Sequence, residues 1–151
     1  MRHYRSDSPE AAARIVAACL LSDGHVGVDE LEALERYGME ARLKMHRGQL
    51  LVVMQQMCED LTSTAYLNWG DTCRLDPAVI FCLAQDVRDW RLRREVMALC
   101  NEGAHADGHL SEGEAAFIQL LRAAWQMPEA YDVHDTRSLR RKLKLVPIQP
   151  G

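Results

Sequence analysis

Apolar residues return every three or four positions along almost the whole chain, and the alternation that marks a half-buried strand is absent. Ala12, Ile15, Val16, Cys19 and Leu20 make one such stripe. Leu50, Met54, Met57, Cys58 and Leu61 make a second, and Phe117, Leu120, Leu121, Ala124 and Trp125 a third. Helix starts are marked by Ser8-Pro9-Glu10 and Asp76-Pro77, where an oxygen-bearing cap precedes a proline whose missing N–H is not needed in the first turn. The pattern predicts helices over 8–22, 28–37, 48–65, 77–87, 89–105, 112–126 and 136–145. Gly38 is placed to end the second of them, and Tyr66 to Leu75, with Asn68, Gly70, Asp71 and Thr72, reads as the main loop. The expected fold is all-α: a compact bundle of seven helices in a single domain over 1–151, with its core in 8–126 and a basic helix and tail at 136–151.

Superimposed on this periodicity is a repeat. Ser22-Asp23-Gly24-His25-Val26-Gly27-Val28-Asp29-Glu30 returns 84 residues later as Ala106-Asp107-Gly108-His109-Leu110-Ser111-Glu112-Gly113-Glu114. Each copy reads small-Asp-Gly-His-aliphatic and carries an acid seven residues after its first Asp. The flanks keep the offset, since Ile15 and Val16 correspond to Leu99 and Cys100, and Leu34 to Ile118. The bundle is therefore expected to consist of two similar helical halves, each with one acidic turn.

Two physical accounts of the turn compete. In the structural one, Gly24 and Gly108 stop a helix, where a residue without Cβ takes the left-handed conformation at least cost. Ser111 and Glu114 then form a reciprocal capping box, and Leu110 is placed to staple the helix start. The first copy keeps Glu30 but has Gly27 where the hydroxyl belongs, so its box is half built.

In the chemical account, Asp-Gly-x-aliphatic-x-x-x-Glu matches the second half of an EF-hand calcium loop. The earlier acids of such a loop are missing: Cys19 and Leu21 stand there in one copy, Gly103 and His105 in the other. One copy supplies about four oxygens against the roughly 6–8 that calcium takes. Turns brought face to face would let Asp23, Glu30, Asp107 and Glu114 share one divalent cation, Ca2+ first among the candidates, with Asp29 and Glu112 close by. His25 and His109 are additional candidate ligands, and His105 approaches from the preceding helix; imidazole with carboxylate suits zinc or another transition metal.

Charge narrows the choice of partners. The formal net charge is −4, but Arg137, Arg140, Arg141, Lys142 and Lys144 place five positives in the tail, leaving the body near −9. That balance disfavours nucleic acid and favours cations or basic protein partners. The tail is expected to dock on the acidic body, with membrane-surface contact the lesser reading. Five scattered Cys without a CxxC pair, several on apolar helical faces, favour reduced thiols and a cytoplasmic setting. Arg2 and Arg5 ahead of the apolar run Ile15 to Leu21 imitate a secretory signal, but Asp7 and Glu10 intervene and the run is too short to span a bilayer. No Gly-rich phosphate loop, nucleophile elbow or His-Glu-x-x-His helix occurs, so the expectation is a non-enzymatic protein; a metal-independent scaffold or co-chaperone-like module is the alternative, and a metal-dependent hydrolase the least favoured.

Over about residues 8–126 the chain resembles the TerB-type tellurite-resistance family, whose helical domains carry paired Asp-Gly turns, each with a downstream Glu; Ala106 to Glu114 is the closer copy. The resemblance implies two similar helical halves, a stress-response or chemical-resistance setting, and Asp23, Glu30, Asp107 and Glu114 as the acidic positions associated with divalent-cation binding.

Overall fold

The structure, a computed structural model, describes residues 1–23, 27–62, 75–106 and 108–127. Seven α-helices and one 3-10 turn occupy them, and no strand occurs among the described residues. None of these helices is long and apolar enough to cross a membrane.

Helix α1 (Pro9–Leu20) is the axis of the bundle. Ser8 Oγ accepts from the Ala11 amide at 3.1 Å, Pro9 opens the first turn, and every residue from Ala11 to Leu20 is buried. Its run of alanines allows neighbours to approach on all sides. A 3-10 turn (Leu21–Asp23) follows, then α2 (Val28–Arg36). Gly38, at φ +77°, ends α2 as the sequence predicts. The chain then enters a five-residue helix that the periodicity misses, α3 (Met39–Leu43), which buries Met39 and Leu43 one turn apart. Helix α4 (Arg47–Thr62) comes next. Beyond 63–74 lie α5 (Pro77–Gln85), α6 (Trp90–Ala104) and α7 (Glu112–Ala124). The Asp76 cap behaves as predicted, its Oδ1 accepting from the Ala78 amide at 2.8 Å, and Asp89 is a further cap that the sequence pattern did not single out, its Oδ1 accepting from the amides of Arg91 and Leu92 at 2.8 and 3.1 Å. The loop expected at Tyr66 to Leu75, apart from Leu75, and the basic helix expected at 136–145 lie outside the described residues.

Packing gives the repeat a spatial meaning. The hairpin α1–α2 and the hairpin α6–α7 join through their first helices, α1 against α6. The second helices then cross over: α2 packs on α6, while α7 packs on the 3-10 turn and α1. Gly103 marks a close approach, since a Cβ there would sit 2.9 Å from Leu20 Cδ2 and 3.4 Å from Leu34 Cδ2. α4 covers the opposite side of α1, and α5 closes the bundle against α7 and α1.

Polar ties fix the periphery. Trp125, just past α7, donates from Nε1 to the Ala84 carbonyl oxygen at 2.9 Å and so latches α7 to α5. Arg42 reaches from α3 to both Glu95 and Glu102 of α6. The buried Arg14 pairs with Asp86 at 2.5 Å, donates to the Arg2 carbonyl oxygen and lies over the Tyr4 ring at 4.8 Å. The segment before α1 is held in turn by Arg2 on Glu59 and by Tyr4 on Gln56.

Candidate functional site

The helix starts that follow the two turns are built alike. In the first, α1 runs into the 3-10 turn, where Ser22 Oγ donates to the Cys19 carbonyl oxygen. The chain is described again at Gly27, whose φ and ψ of −77° and 154° make it an extended N-cap, and its amide donates to Glu30 Oε2 at 3.4 Å. In the second, α6 ends at His105, with Gly108 at φ +80°. Ser111 then takes the matching N-cap geometry, −68° and 157°. Ser111 Oγ accepts from the Glu114 amide, and the Ser111 amide donates to Glu114 Oε2, both at 3.1 Å. The box is complete in one copy and half built in the other, as the sequence implies. The expected staple does not form: Leu110 is 41% exposed, because the position it would grip is Ala115, which offers only a methyl group.

Of the predicted site residues, Glu30 and Glu114 are buried, at 7% and 2% exposure. Carboxylates are almost never this buried without compensation. Asp29, Glu112 and His109 are exposed. His105 is exposed as well, and its Nδ1 lies 2.7 Å from the Asn101 carbonyl oxygen, closing the C-terminus of α6. The side chain of Asp23, and Asp107 and His25 altogether, lie outside the described residues.

The sequence reading missed what stands beside the two glutamates. Cys19 of α1 and Cys100 of α6 are fully buried at the junction of the two first helices. A hydrogen bond to Cys100 pushes the Cys19 thiol well above the ordinary thiol range, followed by burial and then by the nearby negative charges, Glu114 and Glu30 among them. One thiol thus feels a carboxylate from each hairpin. The repeat offset held a clue: Cys100 corresponds to Val16 and Cys19 to Gly103, all on inward faces.

Chemically, the described part of the site supplies carboxylate oxygen from Glu30 and Glu114. Each glutamate commits one oxygen to an N-cap amide. Among the described residues no three His, Cys, Asp or Glu side chains are grouped to hold a metal ion, and the two aspartates that would enlarge the set are the ones not described. Two hard oxygen donors suit a calcium- or manganese-like cation better than a thiophilic one. No protein-family model matches the chain, and neither a curated protein nor a solved structure is found to match it.

Proposed function

We propose that the protein is a non-enzymatic, TerB-like binding module whose paired acidic turns hold a divalent cation, Ca2+ foremost, and which acts through a protein partner in a stress or chemical-resistance setting. The observation that carries this reading is the pair of buried carboxylates, Glu30 and Glu114, contributed by the two copies of one turn and both acting electrostatically on the Cys19 thiol. Asp23 and Asp107 would complete the ligand set, and the exposed Asp29 and Glu112 would raise the local negative potential. A bound cation would favour the charged form of both buried carboxylates. Each glutamate sits in the first turn of the helix that crosses onto the other hairpin, so ligation would tighten α2 on α6 and α7 on α1.

Thermal melting with Ca2+, Mn2+ or Zn2+, each against EDTA, tests the proposal. Ion at a hundred times its dissociation constant stabilises by about 2.7 kcal/mol. For a chain of this length that raises the melting temperature by roughly 5–11 °C. No shift with any of the three at millimolar concentration removes the cation from the account.

A second reading is favoured by the N-cap contacts themselves. Both glutamates accept from the amide three residues earlier, which is sufficient reason for a metal-independent helical scaffold to retain them. In that case Asp23→Ala with Asp107→Ala leaves partner binding indifferent to chelator.

A further inference from the structure

Where the two hairpins join, two thiols meet in the interior. Cys19, next to last in α1, and Cys100, one turn before the end of α6, are both completely buried and both free. A hydrogen bond joins them. The helix backbones approach closely at this point. Leu20, the neighbour of Cys19, has its Cδ2 2.9 Å from where a Cβ on Gly103 would sit, and Gly103 follows Cys100 by three residues, on the same side of α6. A disulfide demands Cα atoms within about 7 Å and converging Cβ vectors. A tight crossing with the two thiols turned onto one another is the arrangement that meets this demand. Cys58 on α4 and Cys82 on α5 lie nearer the surface.

We infer that Cys19 and Cys100 form a redox-sensitive lock: under sustained exposure to a hydroperoxide they close to a disulfide that ties the α1–α2 hairpin to the α6–α7 hairpin. In the first step the sulfur of one cysteine attacks the peroxide, an S–O bond forms as the O–O bond breaks, and water leaves with the thiol proton. In the second, the other sulfur attacks that sulfenic acid, the S–S bond forms as the S–O bond breaks, and a second water leaves. Two thiols have then lost two electrons and two protons, and one hydrogen peroxide has become two waters. The hydrogen bond to Cys100, and then burial, hold the Cys19 thiol above the ordinary range, so little thiolate is present and brief exposure leaves the pair reduced. Hydrogen peroxide is neutral and small, and it enters through local openings of the bundle. Closing a loop of roughly 80 residues then removes freedom from the unfolded chain and stabilises the folded one. The lock uses no cation and stands independently of the cation reading.

The test is overnight incubation of the full chain, carrying Cys58→Ser, Cys73→Ser and Cys82→Ser, with millimolar hydrogen peroxide in EDTA, followed by mass spectrometry and thermal melting. A mass lower by two hydrogens is expected, with Cys19 and Cys100 in one linked peptide after digestion without reductant. The melting temperature should rise by roughly 5–15 °C and return on adding dithiothreitol. Adding Cys100→Ala abolishes both changes. The wild-type chain, which needs no substitution in order to fold, should yield the same linked peptide. Several results overturn the proposal. One is both thiols intact after the incubation, and another is oxygen added to Cys19 or Cys100 without linkage. A third is a bond that joins two chains. A fourth is a linked form that melts below the reduced one, since the bond would then have formed only after α1 had left α6.

Discussion

Completing the half-built capping box should stabilise the first hairpin by a calculable amount. Gly27 has the backbone of an N-cap, with φ and ψ within about ten degrees of those at Ser111, and a Cβ added there meets no atom closer than 4.0 Å. Serine therefore enters Gly27 without strain, and its hydroxyl is positioned to accept from the Glu30 amide as Ser111 accepts from Glu114. The cap contributes a few tenths of a kcal/mol over glycine. Restricting the unfolded chain adds about 0.4–1 kcal/mol, for a total near 1 kcal/mol. That corresponds to a rise of roughly 2–4 °C in melting temperature for a chain of this length. Gly27→Ala isolates the hydroxyl, because it restricts the unfolded chain equally but caps poorly. Urea titrations with unchanged m-values are the assay. The expected order of stability places Gly27→Ser above both wild type and Gly27→Ala, with Ser111→Gly losing about what Gly27→Ser gains. If Gly27→Ser is no more stable than Gly27→Ala, the turn is not held by a capping box and the structural equivalence of the copies fails.

Other expectations follow from single contacts. Trp125→Phe leaves the Ala84 carbonyl oxygen with the Val87 amide but without its indole donor, and should cost about 0.5–1.5 kcal/mol by urea denaturation; an unchanged midpoint refutes the latch. Gly103→Ala brings a methyl group within 2.9 Å of Leu20 in a closed core, and the overlap should exceed the gain in helix propensity of roughly 1 kcal/mol; a stabilised variant contradicts the close approach. The amide of Asp89, and then that of Arg88, hold the Asp7 carboxyl below its ordinary range, with burial opposing them. A depressed folded pKa adds stability above about pH 4 that is lost as pH falls through the folded value. Asp7→Asn, which tolerates the φ of +59° and keeps the acceptor, should flatten the acid limb of the stability curve by lowering stability at pH 6–8 while leaving it unchanged below the folded value. In a Cys73→Ser background, alkylation should modify the exposed Cys82 first and the half-buried Cys58 more slowly, and reach Cys19 and Cys100 only on unfolding; early labelling of Cys19 would contradict the α1·α6 packing.

What was legible in the sequence was local. Helices α1, α2, α4, α5, α6 and α7 follow from a 3.6-residue period and from caps contained within four residues, and the complete and incomplete boxes at Ser111 and Gly27 follow from the same short-range rules. Helix α3 escaped because five residues are too few to establish a period; only Met39 and Leu43, four apart, betray it. The buried Arg14–Asp86 pair joins residues separated by 72 positions, and no local pattern announces it. The electrostatic influence of both Glu30 and Glu114 on Cys19 likewise depends on α2 and α7 crossing between hairpins, which is a property of packing.

The central claim, that two copies of one turn create one shared acidic place, is tested most directly by the stoichiometry of calcium binding in titration calorimetry. The account predicts one ion per chain, with the heat abolished by Glu30→Gln alone and by Glu114→Gln alone, since either substitution removes a ligand from the common site while leaving a side chain able to cap. Two equivalent ions per chain, each sensitive only to its own glutamate, or no heat at millimolar calcium, would contradict it.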